Sequence, residues 1–202
     1  MNKVDTIMAL GNLLQYYYTD LTYINNFQKY KAGQLKTEDY LQKSDGSFKS
    51  FINEFRVARN IEKGKTDELL KMAMIYTSEG EGDGICVDLF AEFLNEVGIT
   101  HGKTMTSLAS KVLFLNDPWN ILPIDNLVKR AVNLRENKYD SYKIKYNEFK
   151  KNHILEINES LASVEEHLNI IEAPFIGELR DIQTIRFNRF LDKILWTIGK
   201  KK

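Results

Sequence analysis

Only three prolines, Pro118, Pro123 and Pro174, punctuate a chain of 202 residues. Proline removes a backbone donor and clashes with the preceding helical turn, so long stretches without it are free to stay helical. Apolar residues along those stretches recur at intervals of three and four rather than two, the helical period. Together these features predict an all-α protein, a compact bundle of short helices. A chain of this length can bury a sizeable core as one unit, and we expect a single domain over 1–202, with lobes at 1–80 and 81–202.

The first eighteen residues, MNKVDTIMALGNLLQYYY, read as helix, because Asp5 and Asn12 interrupt the apolar residues and no small-residue cleavage site succeeds them. From Phe48 to Met74 the positions Phe51, Phe55, Ala58, Leu69, Met72 and Ala73 share one side. Lys63-Gly64-Lys65 marks a break there, and Thr66 is the expected N-cap of the next helix. Beyond the acidic punctuation SEGEGDG lie three short amphipathic segments, 88–97, 106–115 and 125–134, separated by glycine- or proline-bearing turns. A polar stretch from Tyr139 to Ile171 reads as two charged helices joined near Glu156-Ile157-Asn158, and Pro174 ends it. The last segment spaces Ile185, Phe187, Phe190, Leu191, Ile194, Leu195 and Ile198 as a helix, with Gly199 as its expected C-cap.

No apolar run reaches the roughly 18–20 residues that a membrane span needs, and a single cysteine, Cys86, excludes an internal disulfide framework or a multi-cysteine metal centre. The expectation is a soluble, cytoplasmic protein with no membrane partner. Its formal net charge is zero, which argues against coating nucleic acid by bulk electrostatics. The charge is nonetheless uneven. Residues 1–100 hold 11 basic and 15 acidic side chains, 103–151 hold 10 and 5, 152–185 hold 1 and 7, and 186–202 hold 6 and 1. Two basic segments thus flank an acidic one, giving either a positive face or ordinary solvated helices.

Most constellations with chemical promise fail on spacing. Counted from Glu79, the acidic loop has Phe90 at position twelve, where a calcium loop needs a bidentate Glu. His101, His153 and His167 form no paired motif on one helix face, so no metal is expected, and no cofactor either. Cys86 sits near Asp83 and Asp88, which disfavour a thiolate, and reads as a small half-buried side chain. Tyr16-Tyr17-Tyr18 point about 100° apart on a helix, so at most two share a face, and core packing with a half-exposed rim fits better than base stacking.

Residues 88–135 are the most informative. Two helices flank a turn carrying Gly98 and Gly102, and a proline-flanked loop then delivers Asp125 to the start of another helix. A carboxylate there is a good N-cap, kept ionised by the helix dipole. It is equally what a reaction developing positive charge on a sugar ring would use.

Pro123-Ile124-Asp125, with NLVKRAVNL after it, resembles the Pro-Val-Asp and succeeding helix of the helix-hairpin-helix DNA glycosylases, most of all the 8-oxoguanine glycosylase-like branch. The stretch SLASKVLFLNDPWNILPIDN and the ending FLDKILWTIGK are also similar to small bacterial proteins of glycosylase-like fold. The likeness covers about a quarter of the chain plus the last helix. Its hairpin, Val97-Gly98-Ile99-Thr100-His101-Gly102, departs from the family's Leu-Pro-Gly-Val-Gly. The resemblance implies a helix-hairpin-helix glycosylase-like fold and excision of a damaged or modified base after base flipping. Asp125 would be the catalytic carboxylate and Lys103 the nucleophile, with Lys111 a poorer match. DNA would be the partner, gripped through Gly98, Gly102, Lys111, Lys129, Arg130, Arg135, Arg186 and Arg189. The alternative is a non-catalytic helical module that binds DNA or protein, in phage defence or regulation.

Overall fold

A computed structural model describes residues 1–76 and 86–202, so the acidic loop at 78–84 lies outside the described residues. The described residues form ten α-helices and two short 3-10 turns, with two isolated bridges and no strand among them. None of the helices is long and apolar enough to cross a membrane. The chain divides into two compact units, one made of Met1–Leu21 with Ile124–Lys202 and the other of Thr22–Pro123, rather than at residue 80.

The first unit brings the two ends of the chain together. It takes the opening turns of α1 (Lys3–Lys31), then α7 (Asn126–Ala131), α8 (Tyr139–Ala162), α9 (Glu165–Glu172) and α10 (Ile182–Lys201). Spacing of four puts Ala9, Leu13, Tyr17 and Leu21 of α1 in the core. The tyrosine triplet divides as its spacing requires, with Tyr17 fully buried and Tyr16 and Tyr18 exposed. The polar stretch is one continuous α8, and its break falls at Ser163–Val164 instead of near Asn158. Its apolar and aromatic positions, Tyr139, Tyr142, Tyr146, Ile157 and Leu161, keep a single buried stripe across the expected joint, so nothing interrupts the helix there.

Gly199 does not end α10. It lies inside the helix, against α7, where a Cβ would fall well within van der Waals contact of the Leu127 carbonyl oxygen. Its missing side chain is therefore what lets the two helices meet closely.

The second unit holds α2 (Thr37–Tyr40), α3 (Phe48–Glu54), α4 (Thr66–Ile75), α5 (Val87–Glu96) and α6 (Thr106–Asn116), with the remainder of α1. Helix α3 ends far earlier than its apolar spacing predicts. Arg56 adopts a left-handed conformation at φ 56°, while Arg56 N donates to Asn53 O and Val57 N donates to Ile52 O, the paired bonds of a Schellman cap. Lys65, not Thr66, is the N-cap of α4. A chain of ring contacts, Tyr30–Tyr40 at 5.3 Å, Tyr40–Phe48 at 6.1 Å and Phe51–Phe55 at 4.3 Å, packs α1 to α2 and α3. Side-chain amides close the helix ends: Gln28 Nε2 donates to Leu115 O at 2.7 Å, and Asn116 Nδ2 donates to Ala73 O at 2.8 Å.

Replacing Gly199 by alanine separates helix propensity from packing. Propensity alone would stabilise the helix by about 1 kcal/mol, whereas forcing a methyl against the Leu127 backbone costs about 1–3 kcal/mol. We expect urea denaturation to show net destabilisation, and a stabilised G199A would refute the close approach.

Candidate active site

Asp125 stands in extended backbone immediately before α7, at φ −142° and ψ −178°. Ile124, immediately before it, is fully buried. Its Oδ1 accepts from Leu127 N at 2.8 Å and from Val128 N at 3.0 Å, the N-cap geometry its sequence position predicts. Both amides converge on one oxygen, and Oδ2 accepts no hydrogen bond among the described residues. One carboxylate oxygen is thus fixed in place by the start of α7.

The surroundings of Asp125 come from α8 and α10. Helix α8 packs against α10, and Tyr146 Oη donates to Asn188 Oδ1 at 3.2 Å. One turn back on α8 is Tyr142 and one turn on along α10 is Asp192, which an antiparallel pairing places opposite each other. Tyr142 is fully buried, and its hydroxyl has no hydrogen-bond partner among the described residues. Burial holds that phenol well above the usual tyrosine range, with the charges of Asp192 and Asp125 pushing the same way.

Asp192 is pushed up by burial, against the pull of Arg189 and Lys193; the negative charges of Asp125 and Asp20 add to the rise. Its Oδ2 lies 3.2 Å from Arg189 Nη1. Arg189 in turn bonds Asp20 through Nε at 2.9 Å and Nη2 at 2.8 Å, so the three side chains form a buried acid–base–acid group. Nothing in the isolated sequence marks Asp20 or Tyr142. Asp192 carries a faint signal, as the only acid in 186–202 and three residues beyond Arg189.

The positions expected to hold DNA fall into three groups. Lys129 is half-buried, donating from Nζ to Asn137 Oδ1 at 3.3 Å, and Arg130 and Arg135 are exposed in the same unit as Asp125. Arg186 and Arg189 are interior. Arg186 Nε and Nη2 grip Glu172 at 2.8 and 2.5 Å, and Arg189 is 1% exposed. Side chains committed to buried carboxylates present no charge to a phosphate.

The remaining positions belong to the second unit. Gly98 (φ 70°) ends α5, with Gly98 N donating to Asn95 O and Ile99 N donating to Leu94 O. Gly102 (φ 66°) completes the turn, and Lys103, whose carbonyl accepts from Thr100 Oγ1, is exposed. A Cβ at either glycine would meet open space, so backbone conformation, not crowding, accounts for both. Lys111 is half-buried: its Nζ donates to Phe55 O at 3.1 Å, closing the end of α3. Cys86 is half-buried at the entrance to α5.

Comparisons with protein-family models, with curated proteins and with solved structures return no match to this chain.

The raised Asp192 gives a signed pH dependence. The native state binds a proton that the unfolded chain has released between the ordinary aspartate range and the higher native value, so this group's contribution to stability falls as pH rises through that window. Asp192→Asn removes it. Urea midpoints measured from pH 4 to pH 7 should decline more steeply with pH in the wild type than in D192N, and parallel curves would show that Asp192 titrates normally.

Proposed function

We propose that the protein cleaves N-glycosidic bonds in DNA, with Asp125 as the working carboxylate and a non-catalytic helical binding module as the alternative. The observation that carries this reading is the divided Asp125 carboxylate: Oδ1 is fixed by two amides while Oδ2 accepts no bond among the described residues. Breaking the bond between the sugar C1′ and the base nitrogen sends the electron pair to the base and leaves positive charge on the sugar. A negative oxygen held in place, needing no reorganisation, stabilises that charge. The same oxygen can take a proton from the water that adds to C1′ and pass it on to the departing base nitrogen, so that hydroxide ends on the sugar, the proton on the base, and the carboxylate is restored.

Exposed Arg130, Arg135 and Lys138, with Lys129, lie within thirteen residues of Asp125 in the same unit and supply cationic contacts for phosphates. Lys103 is an exposed amine. In a lysine-using reaction its Nζ would attack C1′, displace the base and leave an imine that borohydride reduces to a stable cross-link.

The test uses labelled duplexes carrying 8-oxoguanine, uracil or an alkylated base. Asp125→Asn keeps the amide acceptor for Leu127 and Val128, so the fold is retained, and base release should fall about 100-fold or more. Borohydride trapping that disappears in Lys103→Ala would assign the nucleophile. Unchanged release by D125N, or none from the wild type on any lesion, would overturn catalysis by Asp125. If these four cations carry the contacts, DNA affinity should fall with salt at a log–log slope of about −3 to −4.

A further inference from the structure

Where the C-terminal end of α8, the start of α9 and the first turns of α10 converge, the first unit carries a notch of about 390 Å³. That volume lies at the lower end of small-molecule sites. Its apolar wall is Leu161, Ala162 and Phe187, and its polar rim includes Asn158, Gln183 and Thr184. At its base is Arg186, 8% exposed.

The bonding of Arg186 leaves one arm unused. A guanidinium offers five N–H groups in a rigid fork. Nε and one Nη2 hydrogen engage Glu172 at 2.8 and 2.5 Å, and Nη2 also reaches Asn169 Oδ1 at 2.8 Å. Glu172 is completed by Tyr17 Oη, which donates at 2.8 Å. The two hydrogens on Nη1 make no hydrogen bond among the described residues. The nearest acid is the 61% exposed Glu165, whose Oε1 is 3.9 Å away, beyond hydrogen-bond reach. A buried, oriented donor pair therefore stands beside an exposed carboxylate acceptor, both lining the same notch.

Charge selects the occupant. Glu172 already neutralises Arg186, Glu165 adds a negative charge at the rim, and Asp181 caps α10 by accepting from Thr184 N at 3.2 Å. An anion would meet that excess. A neutral ligand with a carbonyl next to an N–H satisfies both sides, the oxygen accepting from Arg186 Nη1 and the N–H donating to Glu165. The apolar wall of Leu161, Ala162 and Phe187 suits a flat ring, and Lys150 Nζ, 4.9 Å from the Phe187 ring centroid, holds that wall in place.

We propose that this notch binds a neutral nucleobase or nucleoside through its lactam edge, with Arg186 and Glu165 reading the carbonyl and the N–H. Guanine and uracil carry that edge; adenine and cytosine lack the ring N–H. The site is separate from the chemistry proposed for Asp125 and stands whether or not the chain excises bases.

Isothermal titration of the full-length chain with guanosine, uridine, adenosine, cytidine and inorganic phosphate tests the assignment. Guanosine and uridine should bind at least tenfold more tightly than adenosine and cytidine. Arg186 is structural, so the variants are made at exposed positions. Glu165→Gln loses the charged acceptor and should weaken guanosine at least tenfold, and Ala162→Trp fills the notch and should abolish binding, both with unchanged circular dichroism. The proposal is overturned by no guanosine binding at millimolar concentration, by equal affinity for adenosine, by phosphate binding in place of the nucleosides, or by full guanosine affinity in both variants.

Discussion

The first unit depends on two buried arginines on one face of α10. Arg189, 1% exposed, can be accommodated only if carboxylates meet it, because an unpaired guanidinium in a low-dielectric interior costs several kcal/mol. Asp20 and Asp192 meet it, and one turn earlier on α10 Arg186 meets Glu172 and, through it, Tyr17. Tyr17 and Asp20 are three apart on α1, as Arg186 and Arg189 are on α10. The register of α1 against its neighbours is thus fixed twice at matching spacing: a slip of one residue would take Asp20 from Arg189 and the Tyr17 hydroxyl from Glu172. Such pairs contribute little net stability over well-packed apolar residues, but removing one partner is expensive, so they specify which arrangement forms.

That requirement explains why Asp192 sits beside Asp125. Arg189 draws Asp192 into the interior, the pairing of α8 with α10 seals it under Tyr142, and the close approach at Gly199 brings the start of α7 against the same helix. The rise in the Asp192 carboxyl and the unpartnered Tyr142 hydroxyl are consequences of that packing. Asp125 is held by bonds of its own, from Leu127 and Val128. One carboxylate fixed by local amides thus stands near another fixed by long-range pairing.

Legibility in the sequence tracks which forces are local. Helix periodicity and the Asp125 cap are local, so the all-α class, the helices at 87–96 and 106–116 and the cap geometry were all legible. Helix ends without glycine or proline were not. Arg56 and Asn133 both take left-handed conformations at φ 56° to close Schellman caps; Arg56 carries no breaker signal at all, and Asn133 only the weak one of a residue that tolerates this conformation. Gly199 failed in the opposite sense: a glycine near a helix end suggests a cap, yet here a neighbouring backbone needs its empty space. Arg186 and Arg189 were misleading for the same reason, because the partners that bury them lie 14 and 169 residues away in sequence.

The fate of those arginines sharpens the electrostatic argument about DNA. Of the six cations in 186–202, Arg186 and Arg189 are internal, Lys193 lies 3.7 Å from Asp20, and Lys201 pairs with Asp5. Lys202 donates to Ala131 O at 3.0 Å, and Lys200 stacks over the Trp196 ring. A segment that looks like a basic tail is therefore largely committed to holding its own unit together. The other exposed or half-buried cations of this unit lie mainly at Lys129–Lys138, immediately after the Asp125 cap, and along α8 at Lys143, Lys145, Lys150 and Lys151. Under the proposed function, contacts from either group would make DNA affinity strongly salt-dependent. Two local clusters on a chain whose formal net charge is zero favour a directed contact over coating by bulk charge, so the proposed reading rests on the geometry around Asp125 and not on the basic ending of the chain.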